Sequence, residues 1–356
     1  MSTKDRKLDF TDQDIFCGID VHKKSWKITV STLHTVGSTV TIERPFVENV
    51  KAYLQRKFPG GRYHAAYEAG FSGFWAQRKL AEAGMDTIVV HPADIPTTDK
   101  QRDQKNDKRD SRKIAISLRS GELRGIYVPD EQSVKDRSVI RERMSVANSE
   151  RRVKNQIKSY LMFSGIDIPE DLEKRHWSAR FINWLKQIKI EQSDVTLDLM
   201  LQRLEKMRQL RLSALKELRV LSQNDRHKNL YELLLSVPGV GLLTAMTLMG
   251  EIIDMRRFKT IDRLYSYAGF IPSSKSSGEQ ERFGEMTNRK NDRLLSSLVQ
   301  ASWVAIKCDH ELLFKYEQYR KKMNPQKAII KIGRILLRRI RRVWIKGERY
   351  QKAELN

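Results

Sequence analysis

Four acidic residues in the first third of this chain stand where carboxylates can do phosphoryl chemistry. Asp20 closes an apolar run in GIDVHKKS, Glu68 closes another in YEAG, and Asp107 and Asp110 lie three apart in KNDKRDSRKIA. A spacing of three puts two side chains on one face of a helix. Carboxylates gathered from strand ends and a neighbouring helix offer the hard oxygen ligands that Mg2+ (or Mn2+) takes. Two such ions roughly 4 Å apart can clamp the attacking and leaving oxygens of a phosphodiester. Each acid also has a plain reading. An Asp after a strand commonly caps a turn, and the 107/110 pair among Lys105, Lys108, Arg109, Arg112 and Lys113 reads equally as a solvated, self-compensating charge run.

Three further stretches carry chemistry of other kinds. FIPSSKSSGEQ crowds Ser273, Ser274, Ser276 and Ser277 before Gly278; a serine hydroxyl becomes a nucleophile only when a base or metal activates it, and composition alone favours a flexible loop. LLSVPGVGLLTAMTLMGEI resembles a helix-hairpin-helix element, with Pro238, Gly239 and Gly241 in a tight turn. Backbone N–H groups of such a turn and of the helix after it can meet a phosphate without reading bases. KAIIKIGRILLRRIRRVWIKGERY sets Lys327, Lys331, Arg334, Arg338, Arg341 and Arg342 around an apolar stripe of Ile330, Leu337, Ile340 and Trp344. Phosphate binding is the first use of such a face, and a membrane-surface helix the second.

The elements that must position these groups follow from periodicity. Within residues 14–46, DIFCGIDV, KITVSTL and TVTIERPF read as strands. VENVKAYLQRKF is a helix stopped at Pro59-Gly60-Gly61, and YHAAYEAG is a strand. SGFWAQRKLAEAG reads as a helix from a cap at Ser72 to Gly84, and DTIVVHP as a further strand. Three early strands followed by alternating helix and strand predict an α/β domain with a mixed sheet. Two long helices follow, at about 131–163 and 193–221, and the second carries Leu197, Leu201, Leu204, Met207, Leu210, Ala214, Leu218 and Leu221 on one face. Spacings of three and four suit a helical hairpin or coiled coil, by bundle packing or by dimerisation. The C-terminal third, from about 229, is mostly helical. The boundaries fall at 1–128, 129–228 and 229–356.

Composition limits what these parts can serve. The 356 residues carry 67 Lys plus Arg against 44 Asp plus Glu, a formal +23. Nucleic acid is the usual partner of such an excess. The two cysteines, Cys17 and Cys308, fit no disulfide framework, and the seven histidines make no zinc spacing. The polar start MSTKDRKLDFTDQD lacks the apolar core of a signal peptide, and no apolar run reaches the roughly 20 residues of a membrane span. A soluble, intracellular protein is expected.

In their order along the chain, Asp20, Glu68, the VVHP stretch and the KxDxxD element resemble the RuvC-like, ribonuclease-H-type domain of DEDD transposases. These belong to the IS one-ten group of bacterial insertion sequences, related to the Piv DNA invertase. The four-acid signature falls on Asp20, Glu68, Asp107 and Asp110, with Asn106 and Ser111 where the family often has Thr and Ala. The PGVG turn followed by SYAGFIPSSKSSGEQERFGEMTNRKNDRLL is similar to the transposase domain of the same family, so the resemblance covers nearly the whole chain. It implies a nucleophile at the Ser-Gly of that loop, hence Ser277 rather than Ser276. The run Thr287-Asn288-Arg289-Lys290-Asn291 departs from the family's TKxGN turn, which has a glycine before its Asn. The resemblance further implies metal-dependent strand cleavage and rejoining on double-stranded DNA, a phosphoserine intermediate, a bridge RNA that selects donor and target, an even-numbered homo-oligomer, and a bacterial cytoplasmic, nucleoid-associated setting. Nucleic acid contacts are expected at Lys105, Arg109, Arg112, Lys331, Arg334, Arg338 and Arg341. Rival readings are a Piv-type invertase, a RuvC-like nuclease or junction resolvase in which water attacks, and a non-catalytic nucleic-acid-binding protein.

Overall fold

The computed structural model describes residues 9–96, 107–173, 177–277, 280–286 and 290–351, with backbone alone at 107–109, 272–277 and 280–286. The chain divides into two compact units, Met1–Pro129 and Asp130–Asn356.

The first unit is built on a five-stranded sheet in the order β3-β2-β1-β4-β5. β1 (Asp14–Val21), β2 (Trp26–Ser31) and β3 (Val36–Ile42) form an antiparallel meander, whereas β4 (Arg62–Glu68) and β5 (Asp86–Val90) run parallel to β1. The mixed sheet expected from the sequence is present. Parallel neighbours need crossovers, and two helices supply them, α1 (Phe46–Lys57) and α2 (Trp75–Glu82). One sheet face packs on these helices through Ile15, Cys17, Ile19, Trp26, Val50, Leu54, Tyr67 and Leu80. The helix read from a Ser72 cap instead begins at Trp75, after Phe74, with no side-chain cap. Gly73, at φ +56, interrupts any earlier helical start.

The other sheet face is covered by α3 (Asp107–Arg119). Its closeness is set by Gly18: a Cβ there would lie 2.2 Å from the Ser111 carbonyl oxygen and 2.3 Å from the Ala115 nitrogen. Ser111 Oγ and Thr29 Oγ1 share a buried hydrogen bond of 2.9 Å, and Ala66 packs with Ile114.

In the second unit, α4 (Glu131–Phe163) starts at the side-chain cap of Asp130. After one turn, α5 (Glu170–Glu173), come α6 (Ala179–Glu191), capped by Ser178, and α7 (Val195–Ser222), capped by Asp194. α7 returns along α4 around a core of Val153, Ile157, Leu161, Phe181, Leu185, Leu197 and Leu204. The face predicted on α7 largely turns inward to α4 and α6, although Leu210 is exposed. A larger core joins α8 (Lys228–Leu235), α9 (Leu242–Ile252), α10 (Ile261–Ala268), α11 (Asp292–Cys308), α12 (His310–Arg320) and α13 (Pro325–Lys346). On α13 the buried stripe is Ala328, Ile329, Ile332, Gly333, Leu336, Leu337, Ile340 and Val343; Ile330 and Trp344, expected on that stripe from the sequence, flank it half-buried. Between α10 and α11 the Ser-rich segment, expected as a loop, forms an antiparallel strand pair, β6 (Pro272–Ser277) and β7 (Gln280–Met286). Polar residues on both strands hid it from hydrophobic periodicity. Among the described residues no helix is long and apolar enough to cross a membrane.

Candidate functional site

Asp20 and Glu68 occupy corresponding positions on neighbouring parallel strands, one step beyond the ladder pair Ile19–Tyr67. Side chains alternate along a strand, so both share the parity of Gly18 and Ala66, the residues that face α3. The direction of α3 fixes which end it covers. Its Arg119 donates to Ser31, opposite Phe16, while its Ser111 reaches Thr29, opposite Gly18. Extrapolated one turn further back, the N-terminal end of α3, with Asp107 and Asp110, lies toward the edge that carries Asp20 and Glu68. Asp20 and Glu68 thus stand at the carboxyl ends of β1 and β4, on the sheet face that α3 covers. The Asp107 side chain is outside the described residues. Asp110 is half-exposed and stands 3.9 Å from Lys113. Among the described residues, no group of three His, Cys, Asp or Glu side chains stands close enough to hold an ion. The donor chemistry is nevertheless that of a hard divalent cation, since all four acids offer carboxylate oxygens.

Two nitrogen-bearing neighbours of this edge carry little signal in the sequence. His22 Nε2 lies 2.9 Å from Asp20 Oδ2, and Lys27 stands directly opposite Asp20 across the β1–β2 ladder. The period-two run Gly18, Asp20, His22 could have pointed to the first; the second needs the hairpin register, which residue types alone do not give. Cys17, one residue from Gly18, points into the opposite core, and burial pushes its thiol up to about 12. It is no nucleophile at neutral pH.

Ser277 ends β6, and its strand register pairs it with Gln280. Its side chain, like those of Ser273, Ser274 and Ser276, lies outside the described residues, as does Gly278. The acids and Ser277 belong to different compact units. Of the expected nucleic-acid contacts, Lys105 is outside the described residues and Arg109 is described by backbone only. Arg112 is exposed and donates to the Gly37 carbonyl oxygen at 3.4 Å. Lys331, Arg338 and Arg342 are exposed on α13. Arg334 instead lies over the Tyr265 ring, 4.6 Å from its centre, and Arg341 turns toward the Phe258 carbonyl oxygen with its Nε buried. Long arginine stems pack on neighbouring apolar surface, so a helical wheel overstates the outward charge.

The PGVG turn also differs from its expected use. Gly239, at φ +84, is pressed onto α11, where a Cβ would meet the Ala301 carbonyl oxygen at 2.3 Å. Tight helix packing is the demand this glycine meets. Gly241 alone opens to solvent, as the residue preceding α9.

Residues 17–164, which span all four acids, match the DEDD transposase family of the IS110 type, and residues 231–317, which span the serine strand, match the Transposase IS116/IS110/IS902 family. The two matches come in family order on one chain. This chain belongs to the IS110-type transposase family. It is similar to the putative transposase y4qE of Sinorhizobium fredii, 27% identical over 82% of this chain and 72% of that protein. It is also similar to the transposase for insertion sequence element IS1533 of Leptospira borgpetersenii, 25% identical over 81% of this chain and 84% of that protein. As a member of this family the chain is an enzyme of DNA cleavage and rejoining, and the DEDD domain carries dependence on a divalent metal.

Proposed function

We propose that this IS110-type transposase exchanges DNA strands by serine transesterification assisted by a metal-binding acid tetrad in a RuvC-like domain. The observation that carries the reading is the gathering of Asp20 and Glu68 at one sheet edge, on the face covered by the helix of Asp107 and Asp110. These four would hold Mg2+ (or Mn2+). When bound, such a cation stabilises negative charge on the phosphate oxygens and lowers the pKa of a bound hydroxyl. Ser277 is the nucleophile. Its hydroxyl proton leaves to a carboxylate or water, the Oγ–P bond forms, and the P–O bond to one DNA strand breaks, its oxygen taking up a proton. A hydroxyl of the other DNA reverses the exchange and frees the serine. One phosphoester replaces another, so no external energy source is needed.

Arg112 on α3 and Lys331, Arg338 and Arg342 on α13 hold phosphates of double-stranded donor and target DNA, with Lys105 and Arg109 as further contacts. We take 129–228 and 229–356 as distinct working parts behind a 1–128 metal domain; part of the first has a core of its own, although Ile140 and Leu218 join the larger core of the second. A bridge RNA as selector, and a homo-oligomer in which the acids of one chain serve the serine of another, complete the proposal. The parent should cleave and rejoin DNA with Mg2+ and stop on chelation. Ser277→Ala and Asp20→Ala should each abolish cleavage. Cleavage by Ser277→Ala at the parental rate would turn the reading to a RuvC-like nuclease in which water attacks. Sequencing RNA that co-purifies with the protein checks the guide.

A further inference from the structure

The serine strand pair is rooted on a buried polar knot in the second unit. Glu251, in the last turn of α9, is 1% exposed. Burial pushes its carboxyl up, but hydrogen bonds from Arg141 and Asn291 and the charges of Arg141 and Arg137 outweigh this and hold it below the usual range. Arg141, on α4, grips it with both fork ends: Nε to Oε1 and Nη2 to Oε2, each 2.8 Å. Asn291 Nδ2 donates to Oε2 at 2.9 Å. Tyr267 Oη donates to the Glu251 carbonyl oxygen at 2.8 Å, and Arg137 Nε to that of Gly250 at 2.8 Å.

Tyr267 and Asn291 are the two feet of the segment that carries Ser277. The chain leaves α10 past Tyr267 and returns to α11 at Asn291, and the Asn291 N–H donates to the Tyr267 carbonyl oxygen at 3.0 Å. Gly269, at φ +82, lets the feet close, since a Cβ there would meet Lys290 Cβ at 2.7 Å. Asn291 also caps α11, its Oδ1 accepting from the Leu294 N–H. Two residues after Glu251, Ile253 sits at φ 63 and ψ −61, a conformation costly for a β-branched residue. Strain of this kind persists only where surrounding contacts over-determine it.

We infer that Glu251 is a positioning residue for the serine, pinning both feet of its strand pair to α4 through Arg141 and Asn291. The inference rests on the assignment of Ser277 as nucleophile. A helix cap and a pin make different demands on position 291. Asp and Ser both cap helices well. An Asp, however, sets a second carboxylate against Glu251, and a Ser is too short to reach it.

The test measures the rate at which the full-length protein forms its covalent DNA adduct, DNA affinity, and melting temperature in the parent, N291D, N291S and S277A. N291D and N291S should form adduct roughly 10- to 100-fold more slowly, the effect of a small misplacement of a reacting group. Their DNA affinity should be unchanged. Adduct formation by N291D and N291S at the parental rate, or a loss of DNA affinity that matches the loss of rate, overturns the pin. Adduct formation by S277A overturns the serine assignment itself, and with it the inference.

Discussion

At Gly18 one absent methyl group decides how closely α3 can lie on β1. A Cβ there would strike the helix backbone at Ser111 and Ala115, which cannot yield without moving the helix. Gly18→Ala should cost about 1–3 kcal/mol in denaturant unfolding, as overpacking does, and should also reduce metal-dependent cleavage by displacing Asp107 and Asp110. Wild-type stability would show that α3 does not sit this close. At Glu251 the sign of the pH effect follows from its lowered pKa. A carboxyl held down in the folded state stabilises above its unfolded value near 4.5, and that gain fades as pH falls through the folded value. The melting-temperature gap between parent and E251Q should therefore narrow from pH 7 toward pH 3; a constant gap would mean that the Glu251 charge adds nothing. The strand-end places of Asp20 and Glu68 were legible because each closes an apolar run, a local signal. Glu251 was not: it stands in the apolar run LMGEI, and its partners Arg141 and Asn291 lie 110 and 40 residues away.

The helix starts read at about 131 and 193 agree with polar caps at Asp130 and Asp194, whereas the helix capped by Ser178 was not read from the sequence. At Ser72 the same residue type misled, because Gly73 takes a left-handed conformation between it and the helix. The strand pair of Ser277 was missed for the converse reason: backbone pairing defines it, and its polar sequence has no apolar alternation. The paired helices α4 and α7 have their own core, and Phe181 of α6 is fully buried in it. Phe181→Ala should cost about 3–5 kcal/mol, the range for deleting a buried aromatic ring. If this core unfolds independently, calorimetry should show an early transition with the rest unmoved. A cost below about 1 kcal/mol would show that the ring is not packed as described.

Across the whole molecule, the net charge of +23 reads as an electrostatic footprint of unspecified shape until the fold sorts it. Arg141 serves Glu251, and Arg334 and Arg341 pack inward, whereas Lys331, Arg338 and Arg342 remain on the surface of α13. Replacing these last three with Ala should weaken DNA binding and flatten its salt dependence, by roughly 0.9 in log–log slope for each phosphate that is no longer neutralised. An unchanged slope would place the DNA elsewhere. The central claim is that the acids and Ser277 serve one strand exchange. The most direct measurement is to trap the protein on its DNA with Mg2+, digest both, and locate the nucleotide-bearing peptide by mass, in the parent and in Asp20→Ala. The account predicts a phosphodiester on Ser277 in the parent and none in Asp20→Ala. A nucleotide on any other residue, or cleavage with no covalent adduct, would contradict it.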